Sequence, residues 1–118
     1  MRKLRVFVVE DESLVAMLIE DLLHDMGHDV AAVASRIEDA LGPAQSGQFD
    51  VAIIDVNLDG RSSYPIADVL VERGVPCIFA TGYGATGLNA RYSDTPVLVK
   101  PFTATELENI LSRLEERL

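Results

Sequence analysis

Four short apolar runs in this chain each stop at a polar residue able to do chemistry. Leu4–Val9 meets Glu10 and Asp11, Val51–Asp55 ends in its own acid, Pro76–Ala80 meets Thr81, and Val97–Val99 meets Lys100. Short runs rich in valine and isoleucine read as buried strands. Helical spacing fills the gaps between them. Residues 12–26 put Leu14, Leu18, Leu22 and Met26 on one stripe, with Val15, Ile19 and Leu23 beside it, and Gly27 suits the position just past the helix end.

A further strand covers Asp29–Ala34. Ser35 and Glu38 then have capping-box spacing, and Ile37, Ala40, Leu41 and Ala44 continue a helix that Gly42-Pro43 should shorten or kink. The turn-rich stretch Asn57–Ser63 leads to Pro65 in a first helical turn. Ile66, Val69 and Leu70 supply that helix's buried face, and Gly74 ends it. Thr103 and Glu106 form a second capping box ahead of Leu107, Ile110, Leu111, Leu114 and Leu118. Between the last two strands, Gly82, Gly84 and Gly87 each cost a helix about 1 kcal/mol against alanine. A weak or irregular fourth helix is expected over 82–95.

Strands alternating with helices require a parallel sheet covered on both faces. The expected fold is α/β: a flavodoxin-like (βα)5 doubly wound sheet of strand order 2-1-3-4-5, one domain spanning 1–118. Composition narrows the function classes. The 118 residues carry 10 basic and 19 acidic side chains, a net charge of −9, which disfavours nucleic acid as a partner. A single cysteine, Cys77, excludes an internal disulfide framework and suits a reducing, cytoplasmic setting. The apolar start is too short for a signal peptide, and no apolar stretch approaches the roughly 18 residues of a membrane span.

In an open α/β sheet, ligands bind beyond the carboxyl ends of the strands, at the switch between strands one and three. Glu10, Asp11, Asp55, Thr81 and Lys100 all fall at that rim, from four separate segments. One acid at a strand end is most often a helix cap or a solvated loop residue. Their joint placement, each at the end of a different apolar strand, favours a site. Two carboxylates about 4 Å apart repel by roughly 4 kcal/mol at an effective dielectric near 20. Cations must offset this: Lys100 supplies one charge, and oxygen-only ligands suit Mg²⁺. A carboxylate such as Asp55 can act as a nucleophile and carry an acyl phosphate.

With VFVVEDE, VAIIDVNLDG, FATGYG and VLVKPF in these positions, the sequence resembles a receiver domain of bacterial two-component response regulators over essentially its whole length. The resemblance implies that Asp55 is the phosphoacceptor, that Glu10, Asp11, Asp55 and the Asn57 carbonyl form the Mg²⁺ site, and that Thr81 is the switch hydroxyl. It implies that Lys100 pairs with the phosphoryl group and precedes a cis peptide bond to Pro101. The usual switch aromatic, three residues before the lysine, is here Val97. FATGYG, with the glycine-rich stretch after it, resembles the stand-alone FAT GUY subgroup, whose fourth helix is irregular and whose members occur in alphaproteobacteria beside HWE-type sensor kinases. Tyr83 is then the candidate replacement switch, against the blander reading of an aromatic packed over the loop.

The implied function is acceptance of a phosphoryl group from a sensor histidine kinase or histidine phosphotransfer protein, with output through a downstream protein target or onward phosphotransfer in a phosphorelay. The implied protein is no enzyme beyond weak self-dephosphorylation. A phosphate sink and a phosphorylation-independent interaction module are the alternatives. A flavodoxin-like cofactor binder would need a glycine-rich loop where EDESL stands, and an Asp-nucleophile phosphatase would place its acid after the first strand. The expected docking surface lies beside the first helix, where Ala16 and Met17 should be partly exposed, and the loop after strand five. His24 and His28 are four residues apart, but Gly27 breaks the helix between them, so a metal pair is disfavoured. Cys77 should be a small core hydrophobe.

Overall fold

The apolar runs and helical stripes assemble as a five-stranded parallel sheet with helices on both faces. The computed structural model describes residues 3–82 and 88–116. In chain order these form β1 (Arg5–Val9), α1 (Ser13–Asp25), β2 (Asp29–Ala34), α2 (Ile37–Ser46), β3 (Val51–Asp55), α3 (Tyr64–Glu72), β4 (Cys77–Thr81), β5 (Val97–Val99) and α4 (Ala104–Glu115). A small antiparallel ladder, Asn57–Leu58 with Arg61–Ser62, stands apart from the main sheet. In this numbering the strand order is 2-1-3-4-5, with every neighbouring pair parallel. The expected flavodoxin-like arrangement is the one formed. It places the carboxyl ends of β1 and β3 side by side, because Val9 pairs with Ile54.

Period-two alternation along the strands builds two cores. Phe7, Val9, Ala52, Ile54 and Phe79 face α2 and α3, where Ala40, Ala44, Ile66 and Leu70 cover them. Val6, Val8, Ile53, Ile78 and Leu98 face the other side, against Ile19 and Leu23 of α1 and Leu107, Leu111 and Leu114 of α4. Complete burial of each valine, leucine, isoleucine or phenylalanine among them contributes about 1.5–3 kcal/mol. Cys77 is buried in the first of these cores.

Several local expectations are corrected. The buried face of α1 is Ala16, Ile19 and Leu23, whereas Leu14 is 79% exposed and Met17 and Leu18 are also exposed. Ala16 therefore belongs to the core and not to the surface. A helix lying on one sheet needs a single stripe, and Leu14 and Leu18 point away from it. Ser35 and Glu38 make no capping box. Arg36 occupies the cap position of α2 without a side-chain bond, and Glu38 pairs instead with Arg61. Gly42-Pro43, expected to shorten or kink the helix, lies inside α2, which ends at Ser46, three residues beyond the proline. At α4 the expected capping box is present: Thr103 Oγ1 accepts from the Glu106 amide at 3.1 Å, and Glu106 Oε1 accepts from the Thr103 amide at 3.2 Å.

Between β4 and β5, the regular element among the described residues is a single 3₁₀ turn, Ala90–Tyr92. Tyr83, and Leu118 of the last expected apolar stripe, lie outside the described residues. Among those described, no helix is long and apolar enough to cross a membrane.

Candidate functional site

The sheet's parallel order brings the strand-end residues to one rim. At the end of β1 the Glu10 amide donates to the Ala34 carbonyl of β2 at 3.0 Å, which fixes the backbone there. Its side chain turns inward and is only 1% exposed. Glu10 Oε1 accepts from Lys100 Nζ at 2.7 Å, and Oε2 accepts from the Glu12 amide at 3.0 Å. Asp55, at the end of β3, is also buried. Its Oδ2 accepts from Lys100 Nζ at 2.9 Å and its Oδ1 from the Asn57 amide at 3.1 Å. Lys100 is set by β5 pairing with β4: its amide donates to the Thr81 carbonyl at 2.8 Å, and a cis peptide joins it to Pro101.

Asp11 is the more exposed acid of the cluster. Its Oδ2 accepts from the backbone amide of Asp59 at 2.9 Å. One carboxylate oxygen each from Glu10, Asp11 and Asp55 lies within 4.8 Å of the others. A cavity of about 300 Å³ opens over them, lined by Asp11, Asp55, Asn57, Thr81 and Lys100 among others. All the residues expected at the site are thus brought together, except Tyr83, which lies outside the described residues.

Electrostatics follow from three clustered carboxylates, two of them bound to one ammonium. Burial pushes the Glu10 carboxyl up to about 7, against the lowering effect of its bonds to Lys100 and the Glu12 amide. Burial also raises Asp11, but hydrogen bonds involving Glu10 and the Asp59 amide outweigh it and hold Asp11 below the usual carboxylate range. Desolvation pulls the Lys100 ammonium down, and its bonds to Glu10 and Asp55 more than reverse that. Lys100 therefore stays charged, and the Glu10 carboxyl holds a proton more readily than an ordinary glutamate. The cluster has more negative than positive charge and offers only oxygen donors. That donor set fits a hard divalent cation such as Mg²⁺.

Sequence reasoning did not find Asp59 and Gly60, which also line the cavity. An Asp-Gly pair is the signature of a two-residue hairpin loop, and that signal was legible. Tyr92 is a second omission. Val97 supplies no ring at β5, but Tyr92 is buried nearby, stacked on Tyr64 and edge-on to Phe79 of β4. Its hydroxyl donates to Asp68, which also pairs with Arg91. His28 is buried with Nδ1 accepting the Leu4 amide at 3.0 Å, and Gly27 separates it from α1 at φ 87°. Burial lifts the Cys77 thiol to about 12, so it is inert near neutral pH.

Comparison with known proteins agrees with this geometry. The family described as "Response regulator receiver domain" matches residues 6–112. The transcriptional regulatory protein PdtaR of Mycobacterium tuberculosis is 28% identical over 120 residues, covering 95% of this chain and 58% of PdtaR. The phyllosphere-induced regulator PhyR of Methylorubrum extorquens is 31% identical over 112 residues, covering 92% of this chain and 42% of PhyR. The chain spans about half the length of these curated relatives. Among solved structures, SdrG from Sphingomonas melonis Fr1 superposes with a TM-score of 0.86 at 37% identity, covering 98% of this chain and 99% of SdrG. BeF3-activated Sma0114 is 61% identical, covers 100% of this chain and 96% of its own, and superposes with a TM-score of 0.61.

Proposed function

The chain belongs to the response regulator receiver domain family, and from that premise we propose that it accepts a phosphoryl group on Asp55 from a phosphohistidine of a kinase or phosphotransfer protein. The observation that supports this best is the ammonium of Lys100, held 2.9 Å from Asp55 Oδ2 and 2.7 Å from Glu10 Oε1 at the floor of an open cavity. An Asp55 carboxylate oxygen attacks phosphorus. The bond from phosphorus to the donor imidazole nitrogen breaks, its electron pair stays on nitrogen, and a mixed anhydride forms on Asp55.

Each neighbour has a separable task. Lys100 places one fixed positive charge where the transferred oxygens arrive, and being preorganised it needs no rearrangement to act. The Asn57 amide, bound to Asp55 Oδ1, orients the carboxylate. Thr81 lines the same cavity, and its hydroxyl can donate to a phosphoryl oxygen, biasing the end of β4 and the segment beyond it toward a second state. Glu10, Asp11 and Asp55, with the Asn57 carbonyl, would hold Mg²⁺, which when bound neutralises charge on the phosphoryl oxygens. Beyond slow hydrolysis of its own acyl phosphate, the protein is no enzyme in this reading.

The phosphodonor docks on the exposed apolar side of α1. Leu14, Met17 and Leu18 are exposed there although the core has no use for them, and the cavity opens beside the start of the same helix. The output passes to a downstream protein target. The test is phosphotransfer from donor kinases with and without Mg²⁺, read by mass spectrometry. An adduct on Asp55 that needs Mg²⁺ and disappears in Asp55→Asn is expected; an unmodified Asp55 across competent donors refutes the function. Met17→Glu should slow transfer from a protein donor and leave phosphorylation by acetyl phosphate unchanged. Equal slowing of both would refute the docking surface.

A further inference from the structure

We propose that the Asp59-Gly60 turn is a positioning element that presets the cation affinity of the site by holding the Asp11 carboxylate. The inference rests on the reading of Asp11 as a metal ligand. Asn57–Leu58 pairs antiparallel with Arg61–Ser62, leaving a loop of two residues. Both are left-handed: Asp59 at φ 51° and Gly60 at φ 85°. Consecutive positive φ values are what a type I′ hairpin loop requires. Asp59 is the one non-glycine among the described residues in that region, and aspartate tolerates it better than most side chains.

Two amides of the hairpin meet two different acids. The Asn57 amide donates to Asp55 Oδ1 at 3.1 Å, and the Asp59 amide donates to Asp11 Oδ2 at 2.9 Å across 48 residues of sequence. The hairpin therefore sets the spacing between the two carboxylates from outside the main sheet. It is itself braced. The Gly60 amide donates to Asn57 Oδ1 at 2.8 Å, and the Ser63 amide closes the base on the Val56 carbonyl at 2.9 Å. Arg61 ties its far strand to Glu38 of α2. Asp11 is the least buried acid of the cluster, so the amide restricts rotamers that a cation would otherwise have to order on binding. With the amide in place, Oδ2 is fixed on the hairpin before a cation arrives.

The experiment compares variants at position 59 by titrating Mg²⁺ and following backbone amide shifts of the full chain. Asp59→Pro removes the donor and forbids the positive φ; Asp59→Gly keeps both. Asp59→Pro should weaken Mg²⁺ binding about tenfold, as loss of a charge-assisted hydrogen bond would, and Asp59→Gly should stay within about threefold of wild type. At saturating Mg²⁺, phosphoryl transfer to Asp55 should return to the wild-type rate in Asp59→Pro, because the residue acts only through Asp11. Equal dissociation constants for wild type and Asp59→Pro, or equal weakening in the proline and glycine variants, would overturn the proposal. Should Asp59→Pro fail to fold, Arg61→Met, which cuts the outer brace, is expected to weaken binding about threefold, and an unchanged constant overturns it. Asp11→Asn, titrated in parallel, separates the two readings. If it binds Mg²⁺ as wild type does, the metal site itself is wrong, whatever position 59 shows.

Discussion

Replacing Glu10 by glutamine isolates the cost of burying an ionised acid at the rim. The Glu10 carboxyl is raised from an ordinary 4.5 to about 7 because it is buried, with Lys100 only partly compensating. A folded-state value above the unfolded one means that the fold is stabilised by the bound proton. That contribution is complete below pH 4.5 and is lost as pH rises through about 7. At about 1.4 kcal/mol per pH unit, the loss at pH 8 is about 3 kcal/mol. Glutamine mimics the protonated acid and does not suffer it. Glutamine also keeps only one acceptor where Glu10 uses two, for Lys100 and for the Glu12 amide. The lost acceptor costs about 1 kcal/mol. Glu10→Gln should therefore be about 2 kcal/mol more stable than wild type at pH 8 without divalent cations, and slightly less stable near pH 4.5. Urea unfolding in EDTA across that range measures it. No gain at pH 8, or a gain that does not shrink on acidification, would refute the argument.

Leu23→Ala should cost 2–5 kcal/mol in urea unfolding, since Leu23 is fully buried, whereas Leu14→Ala should stay within about 0.5 kcal/mol; comparable losses would reverse the assigned faces of α1. His28 is held below its ordinary 6.5 by burial, against the raising effect of Glu115. Its neutral form is favoured in the fold, so stability should fall as pH drops below 6.5, by at most about 1.4 kcal/mol per pH unit. The pH profile of His28→Asn minus that of wild type, from the same unfolding experiment, should show this slope; a flat difference would refute it. Tyr92→Phe keeps the ring contacts with Tyr64 and Phe79 but loses the hydroxyl bond to Asp68. It should cost about 1 kcal/mol, with faster amide exchange over 88–95; unchanged exchange would show that Asp68 does not hold that segment.

The element order, the parallel sheet and the strand-end site were legible in the sequence because each rests on local pattern and one geometric rule. Apolar runs of strand length and helical stripes depend on neighbours a few residues away. Once they alternate, the carboxyl ends of parallel strands must share a rim, so Glu10, Asp11, Asp55, Thr81 and Lys100 converge without any contact being known. The Thr103–Glu106 capping box was equally legible, since both partners lie within one helical turn.

Tertiary structure decided whatever depends on partners far apart in the chain. Ser35 and Glu38 have the spacing of a cap, yet Glu38 pairs with Arg61, 23 residues on, because the hairpin after β3 brings a guanidinium to it. Leu14 and Leu18 fit a helical stripe as well as Leu23 does, and only the docking of α1 on the sheet selects which of them are buried. Lys100 bridges Glu10 and Asp55 across 90 and 45 residues, and the Asp59 amide reaches Asp11 across 48. Periodicity specifies which way a side chain faces along its own element. The angle and depth at which elements pack specify which charges meet, and that is set by the whole core at once.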